Sequence, residues 1–295
     1  MNSALMQHDL VPFSGHGDFV GTATESVRTA LSDGVTPIVV ARADRLTDLR
    51  AALGADAAAM VSVDRWVVGR NPARLIPMLQ QHVDAGRGGA VHCIGEAVRA
   101  DDSAAVCEEM ALHELMLQLP AFRAWNCRLT CVHDTGLPAA MLDALSDSHR
   151  PRADPADVVD RVRATPLSSR PVDSEELGVD RTTLSALRGF IEGRAAKAGL
   201  DDERVDDLVY AVNEVVTNSI CHGEGRARVS FWSVEGAVTC EVRDRGWIRD
   251  PLAGRVLPDP DRVSGRGLWL VNQLCDLVQL RSSPAGTTVR LHIDG

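Results

Sequence analysis

One hexapeptide decides the fold of the C-terminal part of the chain: Asn213-Glu214-Val215-Val216-Thr217-Asn218. It lies inside a helical pattern of apolar residues, so Glu214 and Asn218, which are spaced i,i+4, share one face of the helix. A carboxylate and an amide oxygen then lie side by side, as a general base and a Mg²⁺ ligand need to do. An isolated E-x-x-x-N pattern is also typical of the solvated face of an amphipathic helix, so it indicates a site only in combination with other motifs.

Two later segments supply complementary chemistry. The strand that ends in Asp244-Arg245-Gly246 offers a carboxylate that can accept from the exocyclic amine of adenine, and Gly246 lets the backbone approach the ring. The turn Ser264-Gly265-Arg266-Gly267-Leu268 opens another helix, where free backbone N–H groups favour phosphate. Each segment alone is an ordinary turn signal. In this order and spacing they predict one nucleotide pocket.

These residues resemble the ATP-binding fold shared by gyrase, Hsp90, histidine kinases and MutL. The resemblance is closest to the RsbW branch of anti-sigma-factor serine kinases and covers roughly residues 174–293. It implies ATP and Mg²⁺ as cofactors, with Glu214 as the catalytic base and Asn218 as the metal ligand.

The resemblance assigns the remaining nucleotide contacts to three further motifs. The D-x-G-x-G box of the family falls on Asp244–Ile248, with Trp247 in place of the second glycine. Trp247 is the clearest departure from the family, and it bears on the flexibility of the adenine-side loop. The G-x-G-L turn falls on Gly265–Leu268 and the G-T pair of a late strand on Gly286-Thr287. The expected nucleotide contacts are Asn218, Asp244, Gly246, Gly265, Arg266, Gly267, Leu268 and Thr287.

The N-terminal part alternates β-rich runs with helical patterns, which predicts a parallel sheet covered on both faces. The predicted strands are Thr36–Ala41, Met60–Val63, Ala90–Ile94 and Leu129–Val132. The predicted helices are Asp18–Ser32, Asp44–Leu53, Pro72–Ala85, Ser103–Leu119 and Pro138–Ser148. Ligands of such sheets bind beyond the C-terminal strand ends. The polar or aromatic residues there are Arg42, Asp64, Arg65, Trp66, Glu96, His133 and Asp134.

This part also resembles the MEDS domain, a sensory module found in front of histidine-kinase-like ATPase domains. The matching stretches are His8–Val11, Asp18–Val20, Pro37–Val40 and Leu129–Asp134. The resemblance implies an unidentified small-molecule ligand. We therefore predict a two-domain α/β chain: an N-terminal parallel α/β sandwich over residues 1–150, a Pro-rich linker over 151–173 with a short helix at Ala156–Val162, and a C-terminal domain over 174–295. The C-terminal domain is expected to be a Bergerat-type α/β sandwich, with a mixed sheet and helices on one face.

Two other groups of residues favour structural interpretations. His113-Glu114-Leu115 resembles a phosphoacceptor motif, but its spacing to the next proline and to Glu214 favours a polar spot on an amphipathic helix. Cys127 and Cys131 lie four residues apart on a predicted strand, about 13 Å along it, which is too far for a shared metal or a disulfide. We expect buried, reduced thiols there.

Composition limits the function classes. The net charge is −10 at pH 7, which argues against sequence-independent nucleic-acid binding. The only lysine, Lys197, lies outside any G-x-x-x-x-G-K-[ST] pattern, so the chain has no P-loop. No apolar run is long enough for a membrane span, and the N-terminus lacks the pattern of a signal peptide. We expect a cytoplasmic protein.

The leading hypothesis is an ATP-binding sensory regulator that phosphorylates a serine or threonine of a STAS-domain anti-sigma-factor antagonist. Its expected partners are that antagonist, a sigma factor, or both, and a homodimer is also considered. One alternative is a module that binds ATP and a sigma factor without turnover, although Glu214 would then have no task. Another is a sensor histidine kinase, disfavoured because the Pro-rich stretch cannot form a phosphoacceptor hairpin. A third is a small-molecule sensor whose ATPase half only dimerises.

Overall fold

The structure is a computed structural model, and it describes residues 6–68, 70–85, 90–151, 154–234, 236–259, 261 and 265–295. The chain divides into two compact units, Met1–Val158 and Val159–Gly295. Each unit contains one five-stranded sheet. Within the described residues, no helix is both long and apolar enough to cross a membrane.

The first unit alternates strands and helices. Its strands are β1 (Gln7–Phe13), β2 (Thr36–Ala41), β3 (Val61–Asp64), β4 (Val91–Glu96) and β5 (Cys127–Asp134). Its helices are α1 (Gly15–Ser32), α2 (Ala43–Leu53), α3 (Arg65–Val68), α4 (Leu75–Ala85), α5 (Ala104–Met116) and α6 (Ala139–His149). Short 3-10 helices cover Gly54–Ala59, Pro72–Arg74 and Pro120–Phe122.

The first sheet is parallel throughout, in the order β1-β5-β4-β2-β3. Successive side chains of β5 point to opposite faces, so Val132 packs with α1 and α2 while Cys131 packs with α5 and α6. The prediction of a parallel sheet covered on both faces is therefore confirmed, as are its four strands to within a few residues. The sequence did not predict the edge strand β1, which pairs with β5 from Gln7 to Phe13.

The second unit carries the remaining elements. Its helices are α7 (Pro155–Ala164), which begins in the first unit, α8 (Leu184–Lys197), α9 (Asp202–His222) and α10 (Gly267–Leu274). Its strands are β6 (Glu175–Asp180), β7 (Arg226–Val234), β8 (Ala237–Asp244), β9 (Leu277–Ser283) and β10 (Gly286–Ile293). Helix α7 covers the short helix predicted at Ala156–Val162.

The second sheet has the order β6-β7-β8-β10-β9, and each of its four pairings is antiparallel. The prediction of a mixed sheet is therefore wrong. Each strand runs opposite to its neighbours, and no parallel pair forms among the described residues. One hydrophobic core joins α8, α9 and α10 to alternate residues of the strands, for example Val229, Val242 and Leu291. These helices lie on one face of the sheet, as expected.

The opposite face of this sheet is polar and still buried. Arg290 on β10 donates from Nε to Glu241 on β8 at 2.6 Å, and both side chains are almost fully buried. The backbone of the segment after α7 also contacts this face, since Arg290 donates to the carbonyl of Ser168 at 2.5 Å and Arg281 to that of Thr165 at 2.8 Å. Part of the predicted linker thus packs on the second sheet.

Candidate nucleotide-binding site

Helix α9 positions the first two predicted site residues. It starts with Asp201, whose carboxylate accepts from the Arg204 N–H at 2.9 Å, and its core face repeats every three to four residues. Glu214 and Asn218 lie at the edge of that buried face and are half-buried. Helix α9 is therefore fixed by the core on one side and leaves these two polar groups accessible on the other.

Asp244, at the end of β8, is tied to the same helix. Its Oδ2 accepts from the hydroxyl of Ser219 at 2.5 Å, and its Oδ1 accepts from the Gly246 N–H at 2.6 Å. Ser219 directly follows Asn218, so one helical turn connects the predicted metal ligand with the predicted adenine acceptor. The Asp244 carboxylate is half-buried and retains further acceptor capacity on both oxygens.

Glycines let the backbone come close around Asp244. A Cβ on Gly223 would lie 2.6 Å from Asp244 Oδ1, and one on Gly246 would lie 2.9 Å from the same atom. A Cβ on Gly286 would lie 2.5 Å from the Asp244 carbonyl oxygen. These three positions require glycine because a side chain would displace the carboxylate or its backbone.

Thr287 fixes the loop after Asp244. Its hydroxyl donates to the Gly246 carbonyl at 2.8 Å and lies 2.7 Å from the Ser282 hydroxyl. Ser282 in turn accepts from the Ile248 N–H at 2.7 Å. Thr287 and Ser282 are buried, so the structure places Thr287 as a support of the loop that carries Gly246.

The glycine turn approaches α9 from the other side. Ser264 lies outside the described residues; Gly265 has φ +94°, and helix α10 begins at Gly267. A Cβ on Gly267 would lie 2.7 Å from Glu214 Oε2 and 3.5 Å from Asn218 Nδ2. The helix N-terminus thus abuts the predicted base and metal ligand. Arg266 is exposed, and Leu268 packs against the core.

The loop between β8 and α10 departs from the family box, but the expectation that Trp247 replaces its second glycine is wrong by one position. The position of the second box glycine is Ile248, and Trp247 occupies the variable position before it. Two guanidinium groups lie over the Trp247 ring, that of Arg249 4.6 Å and that of Arg163 5.3 Å from its centroid. Cation–π contacts of this kind restrict the start of the loop.

The segment between the Asp244 box and the glycine turn, residues 249–263, which we name the lid, is described only in part. Pro260, Arg262 and Val263 lie outside the described residues. Gly254, with φ +75°, is held against α10 because Asn272 donates to its carbonyl at 3.1 Å. The described part of the lid is therefore fixed at its middle.

The site residues fit adenosine triphosphate and a hard cation by their chemistry. Asp244 presents free acceptor capacity beside glycine backbone, Gly267 presents a helix N-terminus, and Asn218 offers the amide oxygen that Mg²⁺ accepts. A groove of about 940 Å³ adjoins Asp244 and Arg245 but is not lined by Asn218. A nucleotide that reaches both ends of the site must lie partly outside this groove.

Sequence reasoning missed three members of the site: Ser219, Gly223 and Ser282. Ser219 could have been found, because it interrupts the apolar face of α9 between Val215, Val216 and Ile220, and a buried hydroxyl needs a partner. Gly223 and Ser282 carry no comparable signal. Their roles depend on contacts that form only in the folded chain, between Gly223 and Asp244 and between Ser282 and Thr287.

In the first unit, two of the residues that follow the strands, Arg65 and Glu96, belong to a buried network of hydrogen bonds and ion pairs. Arg65 is buried; it donates from Nε to the Glu96 carbonyl at 3.0 Å and pairs with Asp102 at 2.7 Å. Arg45 pairs with the Glu96 carboxylate at 2.6 Å. Burial raises the pKa of Glu96, and the adjacent guanidinium groups of Arg45 and Arg65 oppose that rise. Arg65 and Glu96 are thus brought together, while Arg42 is half-buried and Trp66 is exposed.

The second unit matches a known domain family. Residues 178–293 match the family model of the histidine kinase-like ATPase domain. The chain is also similar to the serine-protein kinase RsbW of Listeria monocytogenes, at 29% identity over 124 residues, which covers 37% of this chain and 74% of that protein. The RsbW protein of Bacillus velezensis is likewise 29% identical over 135 residues, with 41% and 79% covered.

Solved structures were compared as well. The RsbU and RsbW domains of a Mycobacterium tuberculosis protein align at 21% identity and a TM-score of 0.30, covering 41% of this chain and 32% of that one. The Acinetobacter baumannii histidine kinase AdeS aligns at 12% identity and a TM-score of 0.26, covering 52% and 82%. The sequence matches show that this chain is similar to histidine kinase-like ATPase domains and to RsbW serine-protein kinases.

Proposed function

We propose that residues 174–295 form an ATP-binding domain of a protein serine/threonine kinase. In this proposal Asp244 and Gly246 hold adenine, Thr287 supports them, and the turn Gly265–Leu268 receives the phosphates. The observation that supports it most is that α9 connects both ends of the site. Ser219 bonds to Asp244, while Glu214 and Asn218 meet the backbone of Gly267.

Glu214 is the proposed catalytic residue. It would orient, or accept the proton of, a serine or threonine hydroxyl on a STAS-domain antagonist, and Asn218 would hold Mg²⁺. Bound Mg·ATP would supply the phosphoryl group and neutralise its charge. Phosphoryl transfer depends mainly on positioning and charge stabilisation, so a site with one carboxylate base and several backbone donors is sufficient. A sigma factor is a second proposed partner.

Asp244→Asn should weaken ATP binding. The amide would turn a donor toward the adenine amine, and loss of a charge-assisted hydrogen bond costs roughly 1.5–3 kcal/mol, or about tenfold to a hundredfold in affinity. Isothermal calorimetry with Mg·ATP measures this directly. Asp202→Asn, at the exposed start of α9, is the matched control and should bind like wild type. Equal affinities for Asp244→Asn and wild type would exclude Asp244 as the adenine acceptor.

We further propose that residues 1–150 are a MEDS-like sensory domain that binds a small molecule and controls the ATPase domain. The support is architectural: a parallel sheet whose C-terminal strand edge carries polar residues, in the same chain as the nucleotide site. A ligand can shift the output only by its differential affinity for two states, typically 1–3 kcal/mol.

Removal of residues 1–150 tests this control. The remaining fragment keeps α7, the segment at Thr165–Ser168 and the whole second core. Its kinase activity on a STAS substrate should differ from that of the full chain by about fivefold or more. The comparison is made with and without cell extract as a source of ligand. If the fragment and the full chain have the same kinase activity in both conditions, the N-terminal domain does not control the kinase.

A further inference from the structure

Four side chains with metal-binding atoms converge inside the first unit: His8 on β1, Glu114 on α5, Cys131 on β5 and His149 at the end of α6. Their ligand atoms all lie within 4.8 Å of one another. His8 Nε2 lies 2.8 Å from Glu114 Oε2 and 3.2 Å from Cys131 Sγ, and Cys131 Sγ lies 3.3 Å from Glu114 Oε2. The four come from four different elements, so the tertiary fold assembles the cluster.

The orientation of His149 is that of a ligand. Its Nδ1 lies 2.8 Å from the Leu145 carbonyl, which can only accept, so the ring proton is on Nδ1. Its Nε2 therefore directs a lone pair into the cluster, where it lies 3.6 Å from Glu114 Oε2 and is buried without a hydrogen-bond partner. Two acceptors that face each other in a buried site repel unless a proton or a cation lies between them. A backbone carbonyl on the far ring nitrogen is also the usual support of a metal-bound histidine.

The spacing suits a tetrahedral ion. Donor atoms held about 2.0–2.3 Å from a tetrahedral zinc lie about 3.3–3.8 Å apart. Four of the six separations run from 2.8 Å for His8 and Glu114 to 3.6 Å for His149 and Glu114, and all six are within 4.8 Å. Side-chain rotations would bring them to the ideal distances, and a cavity of about 50 Å³ adjoins the cluster at Glu114 and Cys131.

The charges also balance. Two neutral imidazoles, one thiolate and one carboxylate carry a total charge of −2, which a divalent cation cancels. A neutral cluster is the form that a buried site tolerates best, because an uncompensated buried charge is strongly unfavourable. Mg²⁺ and Ca²⁺ prefer sites made of oxygen alone, whereas nitrogen and sulfur ligands select zinc and related transition metals.

We propose that His8, Glu114, Cys131 and His149 form a zinc site, which joins strands β1 and β5 to α5 and to the end of α6. Binding releases the thiol proton of Cys131 to solvent, moves the ring proton of His8 to Nδ1 and involves no redox step. The site lies within residues 8–149 and is independent of the proposed nucleotide site. The alternative is a polar network without metal, in which Glu114 accepts from His8 and Cys131.

Cobalt substitution of the full-length protein tests the site. Chelator-treated protein is titrated with Co²⁺. We expect about one equivalent to bind, with visible absorption of a tetrahedral ion and a near-ultraviolet thiolate band, and Zn²⁺ should bleach both. Cys131→Ser should remove the thiolate band, and His149→Ala should weaken binding at least about tenfold, the lower range for loss of a supporting partner. Cys127→Ser, on the same strand and also buried, is the matched control and should keep both signals.

Measurements on the wild-type protein test the zinc site even if a variant fails to fold. Elemental analysis after dialysis against Zn²⁺ should give about one zinc per chain, and bound zinc should raise the unfolding midpoint of the first unit. Absence of cobalt absorption and of retained zinc in folded wild type would leave only the polar network. A thiolate band that persists in Cys131→Ser, or is lost in Cys127→Ser, would likewise exclude this ligand set.

Discussion

Glu214→Ala should reduce phosphoryl transfer to a STAS substrate by roughly 10²–10⁴, the usual contribution of a general base. ATP affinity should change little, because the proposed adenine contacts Asp244 and Gly246 lie at the end of β8 and just after it, and they are held by Ser219 and Thr287. The measurement pairs the initial rate of transfer from radiolabelled ATP with calorimetric ATP binding. The labelled residue of the substrate, identified by mass spectrometry, shows whether it is serine or threonine.

Two further variants sharpen this result. Glu203→Ala removes an exposed carboxylate from the first turn of the same helix and should keep normal transfer. Asn218→Ala should instead weaken the Mg²⁺-dependent part of nucleotide binding, which separates metal holding from base catalysis. Normal transfer by Glu214→Ala would show that the carboxylate is not the base. ATP binding without transfer to any STAS protein in wild type would favour the alternative of a binding module without turnover.

The strands and helices that the sequence predicted well are those whose periodicity is strong. Helix α9 shows the three-to-four residue repeat of its core face, and β2 is a short run of buried, largely β-branched residues. Strand β1 was missed because it is an edge strand that mixes His8, Asp9 and Pro12 with apolar residues. The strand conformation of β1 depends on its pairing with β5, which its own sequence does not indicate.

In the candidate sites, too, the sequence predicts contacts within one helix but not contacts between distant parts of the chain. The spacing of Glu214 and Asn218 lies within one helix, so the sequence alone places them together. The burial of His113 and Glu114 could not be predicted in this way, and the expectation of a solvated polar spot was wrong. Helix α5 is buried almost all round in its second half, and Glu114 meets partners at His8 and His149 that are remote in sequence. Burial raises the pKa of Glu114, but the hydrogen bond from His8 and the nearby histidines outweigh it and lower the pKa to about 2.

The sequence predicted the burial of Cys127 and Cys131, but not the residues that surround Cys131. Cys127 and Cys131 are both buried, as expected for reduced cysteines of a core. Burial raises the pKa of Cys127 to about 12, which keeps it a thiol. The strand spacing correctly separated these two sulfurs, yet it could not indicate that Cys131 faces residues from β1, α5 and α6.

Gly286→Ala should destabilise the second unit more than any exposed substitution in it. Gly286 has φ +138°, a region that L-residues rarely adopt, and a Cβ there would lie 2.5 Å from the backbone oxygen of Asp244. The strained conformation costs about 1–3 kcal/mol and the overpacking a similar amount, so we expect a loss of about 2–6 kcal/mol in the free energy of unfolding. Chemical denaturation of the full chain measures it, followed by the fluorescence of the five tryptophans, of which Trp232, Trp247 and Trp269 lie in the second unit.

The same substitution should also weaken ATP binding, because relief of the clash moves the end of β8 and with it the Asp244 carboxylate. Gly178→Ala is the matched control: this glycine lies on β6 of the same sheet, has an ordinary φ, and a Cβ there has no neighbour within 4 Å. It should unfold like wild type; because Gly178 also lines the groove beside Asp244, the ATP affinity of Gly286→Ala is compared with that of wild type. If Gly286→Ala unfolds and binds ATP like wild type, the close approach of β10 to Asp244 is relaxed in solution, and the pairing of Thr287 with Asp244 cannot be what fixes the adenine side of the site.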